Sequence, residues 1–160
     1  MNIFVCLDEK GGMAFNKRRQ SSDRIIRQDM LQTVGEQKLY MNSYTRKQFT
    51  EENSNIIECE NGLEIAEKDD FVFIENISVC DYISTIQKIV VYRWQRAYPA
   101  DTFFDIDLTS SDWVLSATEE FEGYSHECIA KEIYVKAAQT CSGFECVENE
   151  ADCEYPFEMN

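Results

Sequence analysis

The sequence predicts an α/β fold with a mostly parallel central sheet and an antiparallel hairpin near the C-terminal end. Two runs, Phe71–Ile74 and Ile89–Tyr92, are apolar at every position rather than at alternate positions. Such runs are typical of parallel strands that are covered on both faces. The segment between them, Ser78–Ile86, has helical spacing and would supply the crossover connection.

The first element along the chain is a buried strand, Ile3–Leu7. Gly11 and Gly12 follow it, and paired glycines suit a tight reversal. Shorter elements fill the chain between the first helix and residue 70. We predict strands and short helices, in chain order, over Lys38–Met41, Ser43–Phe49, Asn55–Cys59 and Gly62–Lys68.

The first helix is predicted from three apolar residues at helical spacing and from signals at both ends. Ser21 or Ser22 is expected as its N-cap, with Asp23 in the first turn, where a carboxylate stabilises the helix dipole. Gly35 is expected to end the helix. The apolar face consists of Ile26, Met30 and Val34.

The last part of the chain predicts the hairpin and then a tail. Asp112–Phe121 and Ser125–Val135 are long segments on either side of a turn that contains Gly123. Residues 1–136 are interpreted as one domain. Residues 137–160 are interpreted as an acidic tail with three cysteines, Cys141, Cys146 and Cys153.

Composition narrows the classes of function. The net charge of −15 over 160 residues repels nucleic acid and anionic lipid, so neither is an expected partner. No apolar run approaches the ~20 residues that cross a bilayer, and no signal peptide is recognised, so we expect a cytoplasmic protein. The seven cysteines include no Cys-x-x-Cys pair, and His126 is the only histidine. Free thiols and no metal site are therefore expected.

The order and spacing of several segments resemble the dihydrofolate reductases. The segments that carry the resemblance are Ile3–Asp8, Lys38–Met41, Asp101–Phe104, Asp112–Trp113 and Ile133–Val135. The resemblance implies a three-layer α/β/α fold with a mostly parallel sheet and a C-terminal antiparallel hairpin. The related reductase domain of riboflavin synthesis shares this fold and is a second resemblance.

The resemblance also implies two site residues. The family holds its pterin ring with one buried carboxylate at the start of the first helix, and Asp23 falls there. Thr102 matches the threonine that hydrogen-bonds this acid. A carboxylate suits a pterin because it accepts two donors in one plane. The alternative is that Asp23 only stabilises the helix terminus, which is worth roughly 0.5–1 kcal/mol.

The cofactor positions depart from the family's pattern. Where the family has a Gly-Gly pair that lets the backbone approach the pyrophosphate, this chain has Glu75 and Asn76. Where the family has a glycine and a basic residue, this chain has Asn42 and Ser43. A carboxylate repels a pyrophosphate, so we expect no cofactor. NADPH is the alternative.

Basic residues cluster ahead of and within the first helix, although the chain is acidic overall. The cluster consists of Lys17, Arg18, Arg19, Arg24 and Arg27. It predicts an anion-binding site, and the alternative is a solvated helix face with ordinary counter-charges.

Three hypotheses about function follow from these observations. The first is a scaffold that binds an anionic small molecule or a protein and lacks NADPH-dependent dihydrofolate reduction. The second is an NAD(P)H-dependent reductase of a pterin or a flavin precursor, with Asp23 as its acid. The third is a self-associating structural protein, for which a homodimer is the expected assembly.

Overall fold

A computed structural model of the chain describes residues 1–137. These residues form two compact units, of which the larger contains Met1–Asp107 and Leu115–Val135. The smaller contains Leu108–Val114 together with Lys136 and Ala137 among the described residues. Apart from Ala137, the predicted acidic tail and its three cysteines lie outside the described residues.

The main sheet has seven strands. They are β1 (Asn2–Leu7), β4 (Leu39–Met41), β5 (Ile56–Glu58), β6 (Phe71–Phe73), β7 (Lys88–Trp94), β9 (Trp113–Phe121) and β10 (Ile129–Lys136). Their order across the sheet is β5-β4-β6-β1-β7-β10-β9.

The two apolar runs form the centre of this sheet, as predicted. β1 lies between β6 and β7 and runs parallel to both, with Ile3 opposite Val72 on one side and Ile89 on the other. Continuous apolar runs fit this position because neighbouring layers cover both faces of central strands. The C-terminal hairpin is also confirmed: β9 is hydrogen-bonded to β10 at one edge of the sheet, and β10 runs antiparallel to β7.

The first helix, α1, spans Arg24–Val34, and its N-cap differs from the prediction. Asp23, not Ser21 or Ser22, is the N-cap, and its side chain accepts a hydrogen bond from the Ile25 N–H at 2.9 Å. Aspartate serves as well as serine at this position, so the carboxylate is held one residue outside the helix. Gly35 ends the helix with φ 61°, as expected.

The other helices are short. α2 spans Ser43–Arg46, α3 spans Gly62–Ile65, and Cys80–Thr85 forms a 3₁₀-helix. The helix predicted for Ser78–Ile86 is therefore present, but as a shorter 3₁₀-helix. The Ser78 hydroxyl donates to Asp105, which also accepts the Val79 N–H, so this segment is tied to the chain that follows β7 rather than to its own first turn.

A second sheet carries two residues of the basic cluster, Arg18 and Arg19. It consists of β3 (Arg18–Arg19), β2 (Gly12–Phe15) and β8 (Thr102–Phe103), in that order. Asn16 and Lys17 connect β2 and β3 with φ angles of 52° and 62°. Two successive positive φ angles are typical of the tight turns in two-residue hairpins.

The core of the larger unit lies between α1 and one face of the main sheet. Ile26, Met30 and Val34 of α1 pack in one cluster with Tyr92 and Trp94 of β7. Each of these side chains is at most 3% exposed. The predicted apolar face of the helix is thus confirmed, and its packing fixes the position of Asp23 at the helix start.

Candidate functional site

Asp8, which directly follows β1, holds together the loops that line a cavity. Its carboxylate accepts hydrogen bonds from the Gly12 N–H at 2.8 Å, the Gln20 side chain at 3.0 Å and the Tyr98 N–H at 3.1 Å. Burial alone would raise the pKa of Asp8, but backbone hydrogen bonds from Gly12, Tyr98 and Lys10 outweigh it and lower the pKa. Asp8 therefore acts as a charged anchor for this region.

The cavity that these loops enclose has a volume of about 430 Å³. Its walls come from the β2–β3 hairpin and from the segment after β7. The lining residues are Phe15, Asn16, Arg18, Arg19, Gln20, Tyr98 and Pro99. Phe15 is 49% exposed, so an aromatic ring faces open space beside two arginines.

The two arginines of this cavity wall differ in their ion pairing. Arg19 donates from Nε to Glu75 Oε2 at 3.0 Å and from Nη2 to Glu75 Oε1 at 3.1 Å, a bidentate pair. Its guanidinium also lies over the ring of Tyr44, 4.5 Å from the centroid. Arg18 is exposed, and among residues 1–137 it has no carboxylate partner. Arg18 is thus the cation that is free to meet a ligand.

Hydrogen bonds within the chain engage the four residues that the resemblance matches to the family's cofactor positions, Asn42, Ser43, Glu75 and Asn76. Glu75 is 7% exposed and, besides Arg19, accepts the Gln48 amide at 2.7 Å. Asn42 donates to Asn76 at 3.1 Å across the ends of β4 and β6. The Ser43 N–H donates to Glu60 at 2.7 Å. These contacts occupy the carboxyl ends of the parallel strands, where open α/β sheets bind ligands.

The remaining cations of the basic cluster lie apart. Arg27 is buried and donates to Glu51 at 3.1 Å, and Arg24 lies 4.1 Å from the centre of the Tyr124 ring. Lys17 sits at the tip of the β2–β3 turn. Of the five predicted residues, only Arg18 and Arg19 line the cavity. The structure therefore does not gather the whole cluster into one site.

Asp23 has both carboxylate oxygens engaged by its own chain. Oδ1 accepts the N–H groups of Ile25 and Tyr124, each at 2.9 Å. Oδ2 accepts the Ser125 N–H at 3.1 Å and contacts His126 Nδ1 at 2.8 Å. Burial would raise the pKa of Asp23, but hydrogen bonds from Tyr124, His126, Ser125 and Ile25 lower it to about 2.

These contacts bear on the two residues that the resemblance assigned to a pterin site. Asp23 has no free edge for two donors in one plane, because each oxygen already accepts from the protein. The predicted hydrogen bond between Thr102 and Asp23 is wrong, since the Thr102 hydroxyl donates to Asp101 at 3.3 Å. Thr102 belongs to β8, which pairs with β2 in the second sheet.

No partner of His126, the only histidine of the chain, could be predicted from the sequence. His126 lies in the connection between β9 and β10, 2.8 Å from Asp23, and its ring packs on Trp94 with centroids 4.4 Å apart. Its contacts join residues that are 103 positions apart in the chain. Being the only histidine was the one sequence signal that could have singled it out.

Two further expectations concern metals and membranes. Among residues 1–137, no group of histidine, cysteine and acidic side chains could hold a metal ion. No helix in this part of the chain has the length and apolar character needed to cross a bilayer. The cysteines described there, Cys6, Cys59, Cys80 and Cys128, are all free.

Comparisons with known proteins give the fold. No protein-family model matches the chain, and no curated protein matches it either. Among solved structures, the chain is similar to dihydrofolate reductase from Enterococcus faecalis complexed with NADP(H) and RAB-propyl. The TM-score is 0.61 at 15% identity, and the match covers 85% of this chain and 95% of the other. This chain therefore has a dihydrofolate-reductase-like fold.

Proposed function

We propose that this protein binds a small organic anion with a planar ring in the cavity of the β2–β3 hairpin. The observation that carries the proposal is the exposed Arg18 guanidinium, which has no carboxylate partner among the described residues and stands beside Phe15 and Tyr98. A guanidinium binds carboxylate and phosphate groups through two parallel hydrogen bonds. The neighbouring aromatic side chains offer a surface for a ring.

The cavity has the size and wall composition of a ligand site. A volume of about 430 Å³ falls within the roughly 300–1,000 Å³ of small-molecule pockets. Asp8 holds both walls, because it accepts from Gln20 on one side and from Tyr98 on the other. Because both walls are already held in place, ligand binding would order fewer groups of the protein and would cost less conformational entropy.

The same proposal holds that the protein does not reduce dihydrofolate with NADPH. The bidentate Arg19–Glu75 pair supports this, because the resemblance matches Glu75 to a position where the family's backbone approaches a pyrophosphate. Moving Glu75 would leave the Arg19 charge without its partner in a partly buried site. An NAD(P)H-dependent reductase of a pterin or flavin precursor is the alternative, and the NADP(H) named for the structural neighbour is its support.

The binding proposal is tested with two simple anions and two neighbouring charges. Phenyl phosphate and adenosine monophosphate are titrated calorimetrically into the wild type, Arg18→Glu and Lys17→Glu. Lys17 is the matched control, because it has the same charge and lies one residue away, outside the cavity wall. We expect Arg18→Glu to weaken binding at least tenfold and Lys17→Glu to change it less than about threefold, since its charge is solvated.

Two outcomes would overturn this proposal. One is that neither anion binds the folded wild type at millimolar concentration. The other is that Arg18→Glu binds as tightly as the wild type at low salt, which would mean that the anion lies elsewhere.

Self-association is a second candidate function, favoured by the edge strand β9. Val114 and Leu115 on this strand are 45% and 48% exposed, and exposed edge strands can pair with another chain. Light scattering of the full chain and of Leu115→Glu tests it. A dimer that dissociates in the variant would support a homodimer, and a monomeric wild type would exclude it.

We place either function in the cytoplasm, on the basis of the free cysteines.

A further inference from the structure

We propose that Ser21, His126 and Asp23 form a nucleophilic triad that cleaves a carboxylic ester. Ser21 Oγ lies 2.8 Å from His126 Nε2, and His126 Nδ1 lies 2.8 Å from Asp23 Oδ2. The two ring nitrogens thus have different partners, a hydroxyl on one side and a carboxylate on the other. This activity is separate from anion binding at the β2–β3 hairpin and rests on different residues.

The hydrogen bonds assign the proton positions in this group. An ionised carboxylate can only accept, so His126 Nδ1 carries the hydrogen that points to Asp23. In the neutral ring Nε2 is then the acceptor, and the Ser21 hydroxyl donates to it. This is the arrangement in which an imidazole can remove the serine proton.

The carboxylate of the triad is held rigidly and away from water. The Asp23 side chain is fully buried, and three backbone N–H groups, from Ile25, Tyr124 and Ser125, donate to it. These donors come from the start of α1 and from the β9–β10 connection, so Asp23 joins two separate segments. The resulting fixed negative charge stabilises the imidazolium that forms when His126 takes a proton.

The imidazole is also held in its plane. Its ring packs against Trp94 at 31° and 4.4 Å, and the Ser125 hydroxyl lies 3.1 Å from Nδ1. Trp94 is 2% exposed and belongs to β7, so the packing surface is part of the core. A ring held in this way keeps Nε2 directed at Ser21 without further ordering.

An open cavity adjoins the triad. His126, Ser125 and Trp94 contribute to the wall of a space of about 300 Å³, together with the exposed Arg96. Ser21 does not line this cavity, but it is partly exposed and bonded to His126, which does, so a small substrate can reach both residues. The cavity is large enough for a small ester.

The reaction balances without any cofactor. Ser21 Oγ attacks the ester carbonyl carbon while its proton moves to His126 Nε2. The bond from that carbon to the alcohol oxygen then breaks, and Nε2 returns the proton to the departing alkoxide. Water releases the acyl group from Ser21 by the same sequence, with His126 again carrying the proton.

A fluorophosphonate probe tests the nucleophile directly in the full chain. Such probes react with activated serines, forming a phosphonyl–oxygen bond and releasing fluoride. Trypsin leaves Ser21 and Ser22 in one peptide, Gln20–Arg24, and fragmentation of that peptide locates the adduct. We expect the adduct on Ser21 in the folded wild type and in Ser22→Ala, the matched control.

Separate measurements test His126 and Asp23, the other two members of the triad. We expect His126→Gln to react at least ~100-fold more slowly, as loss of a general base implies. Asp23→Asn should react at least ~10-fold more slowly while remaining folded. It should also lose the low-field Nδ1–H resonance, which belongs to His126 because the chain has one histidine.

Results on the wild type and on Ser21→Ala can each overturn the proposal. If the folded wild type forms no adduct on Ser21, or if urea-unfolded chain labels Ser21 at the same rate, the serine is not activated. Equal labelling of Ser22 would lead to the same conclusion. Hydrolysis of p-nitrophenyl acetate that persists in Ser21→Ala would assign any esterase activity to another residue.

Discussion

Neutralising Asp23 should remove stability that depends on pH. The pKa of its carboxyl is lowered from 3.8 to about 2 in the folded chain, because hydrogen bonds from Tyr124, His126, Ser125 and Ile25 outweigh its burial. At about 1.36 kcal/mol for each pH unit, this difference corresponds to roughly 2 kcal/mol. A group with a lowered pKa contributes this stability above its unfolded value, near 3.8, and loses it as the pH falls through about 2.

The assay compares the wild type with Asp23→Asn, which keeps a good N-cap but cannot ionise. Urea unfolding is followed by tryptophan fluorescence at several pH values between 5 and 2. At pH 5 we expect Asp23→Asn to be less stable by about 2 kcal/mol or more. The difference in free energy of unfolding between the two proteins should narrow by about 2 kcal/mol as the pH falls to 2, because the Asp23 carboxylate becomes protonated. The other carboxyl groups titrate in both proteins, so their contributions to this difference cancel.

Glu36→Gln is the control, since this carboxylate is exposed just after α1. It should stay within about 0.5 kcal/mol of the wild type, as surface substitutions usually do. If the wild type and Asp23→Asn differ in free energy of unfolding by the same amount at pH 5 and at pH 2, this prediction is wrong. That result would mean that the hydrogen bonds to Asp23 do not favour its charged form.

Two further substitutions test the packing around the candidate sites. Glu75→Gln should lower the free energy of unfolding by about 3 kcal/mol, because it leaves the Arg19 charge unpaired. The double variant with Arg19→Gln should recover part of this loss. If urea unfolding shows that the losses of the two single variants simply add in the double variant, this prediction is wrong. Gly123→Ala should cost about 1–3 kcal/mol, since its Cβ would lie 2.5 Å from Ile129 and 2.6 Å from Asp23; an unchanged melting temperature would show that this turn has room.

The sequence predicted the central sheet well because its signal is local. Continuous apolar runs such as Ile89–Tyr92 occur where both faces of a strand are covered, and this pattern needs no knowledge of distant residues. The 3₁₀-helix at Cys80–Thr85 was harder, because Ser78 bonds to Asp105, which is 27 positions away. Local capping patterns do not include such partners.

The site could be predicted only in part, for the same physical reason. The charge of Arg18 and its neighbours was visible in the sequence, but not that Glu75 would neutralise Arg19 across 56 positions. Asp23 was singled out from its place at the helix start, whereas its contact with His126 spans 103 positions. Pairing across such distances is set by the fold and leaves no spacing pattern in the chain.

We infer that this dihydrofolate-reductase-like fold carries bonded side chains at the positions that the resemblance matches to the family's dinucleotide site. Calorimetric titration of the full, folded chain with NADPH tests it most directly, with the Enterococcus faecalis enzyme, whose structure is described as a complex with NADP(H), as the positive control. We predict that NADPH binds no more tightly than adenosine monophosphate, because both would be held only through a phosphate at Arg18. Stoichiometric NADPH binding with a micromolar dissociation constant, much tighter than that of adenosine monophosphate, would contradict this inference, because NADPH would then have to displace or tolerate the Arg19–Glu75 pair.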